Sequence, residues 1–416
     1  MPTDGARRTE ILETAATLFA SEGLRASLQE IADACGILPG SLYHHFDSKE
    51  AIIVELVRRY RDELDRIAHG ALRDLQHPTS QPVEERIIEF GRAIAACGVR
   101  HRAALLLSLY EPPSVLGDEL ALLASTASTA IEGAMLELLR EGRASGAIRP
   151  GIDLTLLSDR LCQSMLHVGV GVSHMAPGAD LVPEVRLRLL LDGISPRTPS
   201  NATLDRSHAT QAVEKVVATW EDESEDDNGR TTHLRAVARK EFGRRGYEAT
   251  TMRDIAAAAG VSTGTVYRSF RSKDELLISI MRSYTDKVKM AWEAALSTAS
   301  TPLEKIDALM WANIHVIDRF SDEFRIQLAW LRQSPPSTPN LGLSVAWYLR
   351  QIKALLAEGD KAGEIHIEGG NAEIRARGVQ EVIAFPPTIV RAAGTRAARA
   401  LARDTVLRGA MARRRA

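Results

Sequence analysis

This 416-residue chain is poor in the residues that mark secreted, metal-clustered or membrane proteins. Its three cysteines, Cys35, Cys97 and Cys162, are an odd, scattered set without metal-ligand spacing, and they read as reduced core thiols of a cytosolic protein. Aromatic residues are 5% of the chain against 45% hydrophobic, and the abundance of Ala, Leu and Arg favours an all-α core over a β-rich one. The opening MPTDGARRTE has no apolar run of the kind that directs export. The most apolar stretch, around Leu154 to Met175, holds Asp159 and Arg160, which argues against a membrane span. There is no Ser-His-Asp order, no Gly-rich phosphate loop after a strand and no metal spacing, so neither an enzyme nor a bound cofactor or metal is expected.

Charge of one sign is scarce overall but not locally. The net charge is −2, yet Arg230 to Tyr284 carries 11 Lys and Arg against 5 Asp and Glu, a balance of +6. Met1 to Tyr60 has 6 against 9, a balance of −3. A near-neutral total therefore accommodates one basic module suited to DNA.

That basic region contains TMRDIAAAAGVSTGTVYRSFRSKDE, from Thr251 to Glu275. Thr251 and Asp254 form a capping box, Gly260 supplies a helix stop, and Ser262 or Thr263 caps a second short helix. Val266 and Phe270 face inward on that helix, leaving Thr263, Thr265, Tyr267 and Arg268 outward. Ser272 and Glu275 open a further helix, with Lys273 in its first turn against the helix dipole, a placement suited to a docking phosphate.

The same pattern occurs 224 residues earlier. Ser27 and Glu30 make a capping box, Ile31 matches Ile255, Gly36 matches Gly260, and Gly40 matches Gly264. Tyr43, Phe46, Lys49 and Tyr60 match Tyr267, Phe270, Lys273 and Tyr284. Two copies this far apart imply a duplicated domain.

GVSTGTVYRSFRSKDEL and GILPGSLYHHFDSKEAI resemble the TetR/AcrR family of bacterial transcriptional regulators over about 50 residues in each copy. The resemblance implies an all-α chain of two tandem modules, each a helix-turn-helix head followed by a helical ligand-binding and dimerisation body. The expected divisions are a first head at 1–55, a first body at 56–195, a linker with an acidic run at 196–229, a second head at 230–280 and a second body at 281–416. Glu50 to Leu75 and Asp274 to Ala295 read as helices leaving the heads, and Pro196 to Ala209 reads as linker ahead of a short helix at Thr210 to Trp220. The acidic run Glu221 to Asp227 reads as a solvated tether.

Double-stranded operator DNA is the partner the resemblance implies, with a bacterial, cytoplasmic, nucleoid-associated protein as its setting. The candidate contacts in the second head are Thr251, Ser262, Thr263, Gly264, Thr265, Tyr267, Arg268 and Lys273. Tyr267 and Lys273 are assigned to phosphates and Arg268 to a guanine edge. The first head offers Ser27, Leu38, Pro39, Gly40, Ser41, Tyr43, His44 and Lys49. Leu38 stands where the family has a polar residue, so this head is the weaker base reader. The resemblance also implies a small apolar effector, held among Val83 to His174 or Ile306 to Ile383, and repression as the mode of action. Three assemblies follow: a single-chain pseudo-dimer on unlike half-sites, a homodimer of tandem chains, or a protein in which only the second head binds DNA and the first is a dimerisation piece.

Overall fold

The computed structural model describes residues 4–22, 26–77, 80–108, 129–171, 179–220, 229–247, 250–333 and 345–412. It is 78% helical, and the described residues form no strand beyond one isolated bridge, Ile148 to Met411.

The first module begins with α1 (Asp4–Glu22), α2 (Leu28–Ala34) and α3 (Pro39–Tyr43). The exit helix α4 (Lys49–Leu75) follows, capped by Ser48, whose hydroxyl accepts from the Ala51 N–H. Its buried residues Ile52, Ile53, Leu56, Val57, Tyr60, Leu64 and Ala68 recur every three or four positions, one apolar stripe facing the body. The body continues with α5 (Val83–Arg100), α6 (Arg102–Ser108), α7 (Thr129–Ala144), α8 (Leu154–Leu166), α9 (Val168–Gly171) and α10 (Val182–Leu191). The helical spacing over Val83 to Ser108 is interrupted at His101, whose backbone leaves the helical region at φ −103°, ψ 35°. Of the helix that the apolar spacing over Val115 to Glu141 predicts, residues 115–128 fall outside the described residues, as do the acidic run and residues 413–416 of the basic end.

The linker expectation needs correcting. Within Pro196 to Ala209, Asn201–Asp205 (α11) is a helix, while the helix expected at Thr210 to Trp220 is present as His208–Thr219 (α12), which packs along the second exit helix. The Ser and Asn that resemble linker composition cap these helices: Ser200 accepts from the Thr203 N–H and Ser207 from the Thr210 N–H. Leu204, Ala209, Val213 and Trp220 are buried, so the segment belongs to the second module's core.

The second module repeats the plan through α13 (Gly229–Arg245), α14 (Met252–Ala258), α15 (Thr263–Ser269) and the exit helix α16 (Lys273–Leu296). Its body is α17 (Pro302–Arg319), α18 (Ser321–Gln333), α19 (Val345–Lys361), α20 (Ala372–Ile383) and α21 (Pro387–Ala402). The helical spacing of Arg396 to Met411 predicts a last helix from Arg396. It starts instead at Pro387, because proline fits the first turn of a helix, and it kinks at Gly394, where φ is +80°.

The closing helices of the two modules pack on one another, α10 against α20 and α8 against α21. Small residues allow close approach: a Cβ on Gly378 would lie 2.9 Å from Leu189. Arg160, on α8, is 2% exposed; its guanidinium donates to the Val382 carbonyl at 2.6 Å and to the Thr405 hydroxyl at 3.1 Å, and it lies over the Phe385 ring. Those partners offset part of the cost of burying its charge, and burial still lowers its pKa to about 9. After α21 the chain makes a π-helical turn (Arg403–Leu407) and runs against the first module. There the Ala410 N–H donates to the Leu190 carbonyl, Met411 to Leu191, Ala412 to Ala147, and Ile194 back to Val406. Gly193 and Gly409 both have positive φ where the backbones cross, and a Cβ on Gly409 would sit 2.3 Å from the Asp192 carbonyl carbon.

Candidate nucleic-acid interface

In the second head, Thr251 caps α14 in a closed box. Its hydroxyl accepts from the Asp254 N–H at 3.1 Å, and its own N–H donates to the Asp254 carboxylate at 2.8 Å. Hydrogen bonds from Thr251, with Arg245 nearby, hold the Asp254 carboxyl below its usual range. Gly260 then takes φ +67°, which lets the Val261 N–H return to the Ala256 carbonyl and turns the chain into α15. Ser262 caps α15 by accepting from the Thr265 N–H at 3.2 Å. Val266 and Phe270 are buried beneath, fixing which face looks out.

On the outward face Ser262, Gly264, Tyr267 and Arg268 are exposed. Tyr267 is 51% exposed, which excludes simple packing beneath the exit helix. Thr263 and Thr265 are only half-buried rather than fully outward. The Thr265 hydroxyl accepts from Arg268 at 3.0 Å, which draws the guanidinium across the surface of the helix.

Lys273 has partners within the head. Its ammonium donates to the Tyr247 carbonyl at 2.8 Å and lies 4.2 Å from the centre of the Tyr247 ring. Lys49 does the same in the first head, donating to the Ala26 carbonyl at 3.4 Å, and burial lowers its pKa. Both lysines therefore tether the start of an exit helix to the loop before the helix-turn-helix. That carbonyl orients each ammonium at the N-terminal end of its exit helix. Two exposed cations that sequence reasoning passed over, Arg253 on α14 and Arg271 just after α15, stand beside the reading helix in the chain. Their signal was the local basic balance, which does not say which cations stay free.

The first head keeps the frame and changes the reading helix. Ser27 accepts from the Glu30 N–H at 3.2 Å, and the Ser27 N–H donates to the Glu30 carboxylate at 2.6 Å, reproducing the capping box. Gly36 has φ +65°. The helix that follows has five residues rather than seven, and its N-cap, Leu38, offers no side-chain acceptor. Leu38 is 77% exposed and Tyr43 53%. Gly40, Ser41 and His44 are also exposed, and Pro39 is half-buried at the first helical position. Arg8 donates to the His45 carbonyl at 2.6 Å and covers the Phe46 ring, bracing the reading helix from α1.

Comparison with known proteins fits this geometry. The family model for bacterial regulatory proteins of the tetR family matches residues 11–56 and 234–280, once over each head. The HTH-type transcriptional repressor KstR2 of Rhodococcus jostii is 34% identical over 196 residues, an alignment taking 45% of this chain and 91% of the relative. The chain belongs to the TetR family. KstR2 of Mycolicibacterium smegmatis is 32% identical over 195 residues, with the same two coverages. Among solved structures, a probable transcriptional regulatory protein of 28% identity aligns over 46% of this chain and all of its own, at a TM-score of 0.39. With a relative spanning about half the chain and two matched heads, this is a tandem TetR protein, a DNA-binding transcription regulator. No helix among the described residues is long and apolar enough to cross a membrane.

Within Val83 to His174, Leu105, Met165 and His167 are core: the first two are at most 1% exposed, and burial lowers the pKa of His167. A cavity of about 450 Å³ lies at the far end of α4, walled by Ile67, Ala71 and Asp74 and, from the expected Val83–His174 range, by Arg86, Glu89, Phe90 and Leu138. Leu109 and Tyr110 are outside the described residues.

Proposed function

We propose that this TetR protein is a ligand-responsive repressor working as a single-chain pseudo-dimer, its two unlike heads reading two unlike half-sites of one operator. The observation that carries the reading is the packing of α8 and α10 on α20 and α21, sealed by Arg160 and the 403–412 segment. One chain thereby buries against itself helix faces that would otherwise need a second copy. Exposed Tyr43, His44, Ser262, Tyr267 and Arg268 are the side chains assigned to DNA, and Thr263 and Thr265 contribute from the edge of the helix. Lys49 and Lys273 act as positioning residues. The exposed apolar Leu38 suits a thymine methyl, while Arg268 suits a guanine edge. The cavity beside α4 is of a size that holds a small molecule, and its mixed wall favours a ligand with both polar and apolar parts. A ligand there would shift the balance of head positions through differential affinity.

The reading in which only the second head binds DNA draws on the −3 and +6 charge balances, because cations supply much of DNA affinity. One experiment separates the two: selection from random duplex DNA with the wild type, with Tyr43→Phe/His44→Ala, and with Tyr267→Phe/Arg268→Ala, alongside mass in solution. A monomer enriching a two-part site, with each variant losing a different half, is the expected result. Loss in the second variant alone favours the one-head reading, and no enrichment by the wild type removes the proposal.

A further inference from the structure

Glu63 on the first exit helix, with Cys97 and His101 at the end of α5, brings three ligand-type side chains together outside the reading heads. Their donor atoms all lie within 4.8 Å of one another, the one such grouping found among the described residues. We propose that Glu63, Cys97 and His101 bind a zinc-type divalent cation that ties the helix carrying the first head to its body.

The chemistry fits. Cys97 and His101 are four apart and share a helix face. Thiolate, imidazole and carboxylate are zinc's preferred protein donors, and three of them with an open fourth position make an exchangeable site. Donors around tetrahedral zinc stand roughly 3.5–4 Å apart. The His101 Nε2 to Glu63 contact of 2.8 Å would therefore open slightly and the Cys97 sulfur move in. The Cys97 thiol is fully buried, while the side chains of Glu63 and His101 are 15% and 18% exposed, giving an ion an approach from their side. Arg100 pairs with Glu63, but its side chain is 63% exposed and swings into solvent when a cation takes the carboxylate.

The second module supplies an internal control. Exit-helix positions correspond at a spacing of 224, so Glu63 corresponds to Lys287 as Tyr60 does to Tyr284. α5 and α17 both have 18 residues and end on an arginine; shifted by 219, Cys97 corresponds to Val316 and His101 to Phe320. The backbone agrees, since His101 N–H donates to the Cys97 carbonyl and Phe320 N–H to Val316, both at 2.9 Å. So do the rings: Tyr60 to His101 and Tyr284 to Phe320 are each 5.8 Å between centres. In the second module the junction is closed by Val316 and by Lys287 near the Phe320 ring. The fold thus needs no ligand chemistry at these positions, yet all three carry it in the first module.

The test uses the full chain, stripped with chelator and titrated with Co²⁺, then Zn²⁺. The expected result is one Co²⁺ per chain, with thiolate-to-metal charge-transfer absorption and tetrahedral d–d bands, displaced by Zn²⁺. Cys97→Ser should abolish the charge-transfer band, and Glu63→Gln should weaken binding ten-fold or more, while Cys35→Ser/Cys162→Ser leaves both intact. A triple variant, Glu63→Lys/Cys97→Val/His101→Phe, copies the second module's junction and should fold without binding; Zn²⁺ should raise the melting temperature of the wild type and not of this variant. Absence of Co²⁺ binding by the wild type, binding without thiolate absorption, or unchanged binding by the triple variant overturns the proposal.

Discussion

The two heads share a frame and differ in what the frame presents. Both have a closed capping box, a positive-φ glycine at the turn and a lysine anchored on a backbone carbonyl. Yet the second presents a seven-residue helix capped by Ser262 within a basic segment, and the first a five-residue helix headed by exposed Leu38 in an acidic one. The shared features are satisfied inside each head, so altering them costs stability directly. The differing residues contact little within the protein and can diverge without unfolding it. Divergence on that outward surface is what two unlike half-sites would require.

Breaking the frame that holds the heads in one molecule should have the largest effect. Gly409→Val would place side-chain atoms in the Asp192 backbone and force a β-branched residue to φ +78°. A loss of about 3 kcal/mol or more is expected, with thermal melting separating into two transitions as the modules undock. A single unchanged transition would show that the C-terminal staple does not couple them.

A smaller effect should come from pH. Asp159 faces Thr388 across the interface, and burial, followed by the charge of Glu132, pushes its carboxyl up to about 6; attraction to Arg160 is the weakest named influence. A folded pKa above the unfolded value of about 3.9 means its favourable contribution is complete below pH 4 and is lost as pH rises through 6. Asp159→Asn should therefore stabilise the chain by about 1–2 kcal/mol at pH 8 and hardly at all at pH 4. Denaturant melts at the two pH values check this, and an equal effect at both would refute it. Asp192, also raised to about 6 by burial, leaves a residual dependence of the same sign.

The smallest effect sharpens the comparison of heads. Leu38→Ser would give α3 the cap that Ser262 gives α15 and, since Leu38 is 77% exposed, would sacrifice little packing. A gain of about 0.5–1 kcal/mol is expected in thermal unfolding. DNA selection should show weaker preference for thymine in the first half-site, with the second unchanged.

Much of this was legible in the residue string because it is local. Capping boxes at Ser27 and Thr251 and stops at Gly36 and Gly260 depend on neighbours within four positions. Pro196 to Ala209 resembles a linker for an equally physical reason: Ser, Thr and Asn favour loops and helix caps alike, and only burial of Leu204 tells them apart.

The sequence by itself determined the duplication, the helical class, the two reading helices and the family, since periodicity and capping are set by residues close in the chain. Tertiary structure alone decided which lysines were occupied by backbone carbonyls, how Arg160 finds Val382, 222 residues away, and how Glu63 meets Cys97 and His101. Such partners are chosen by helix packing, where the energy of a side chain depends on what the rest of the chain places against it.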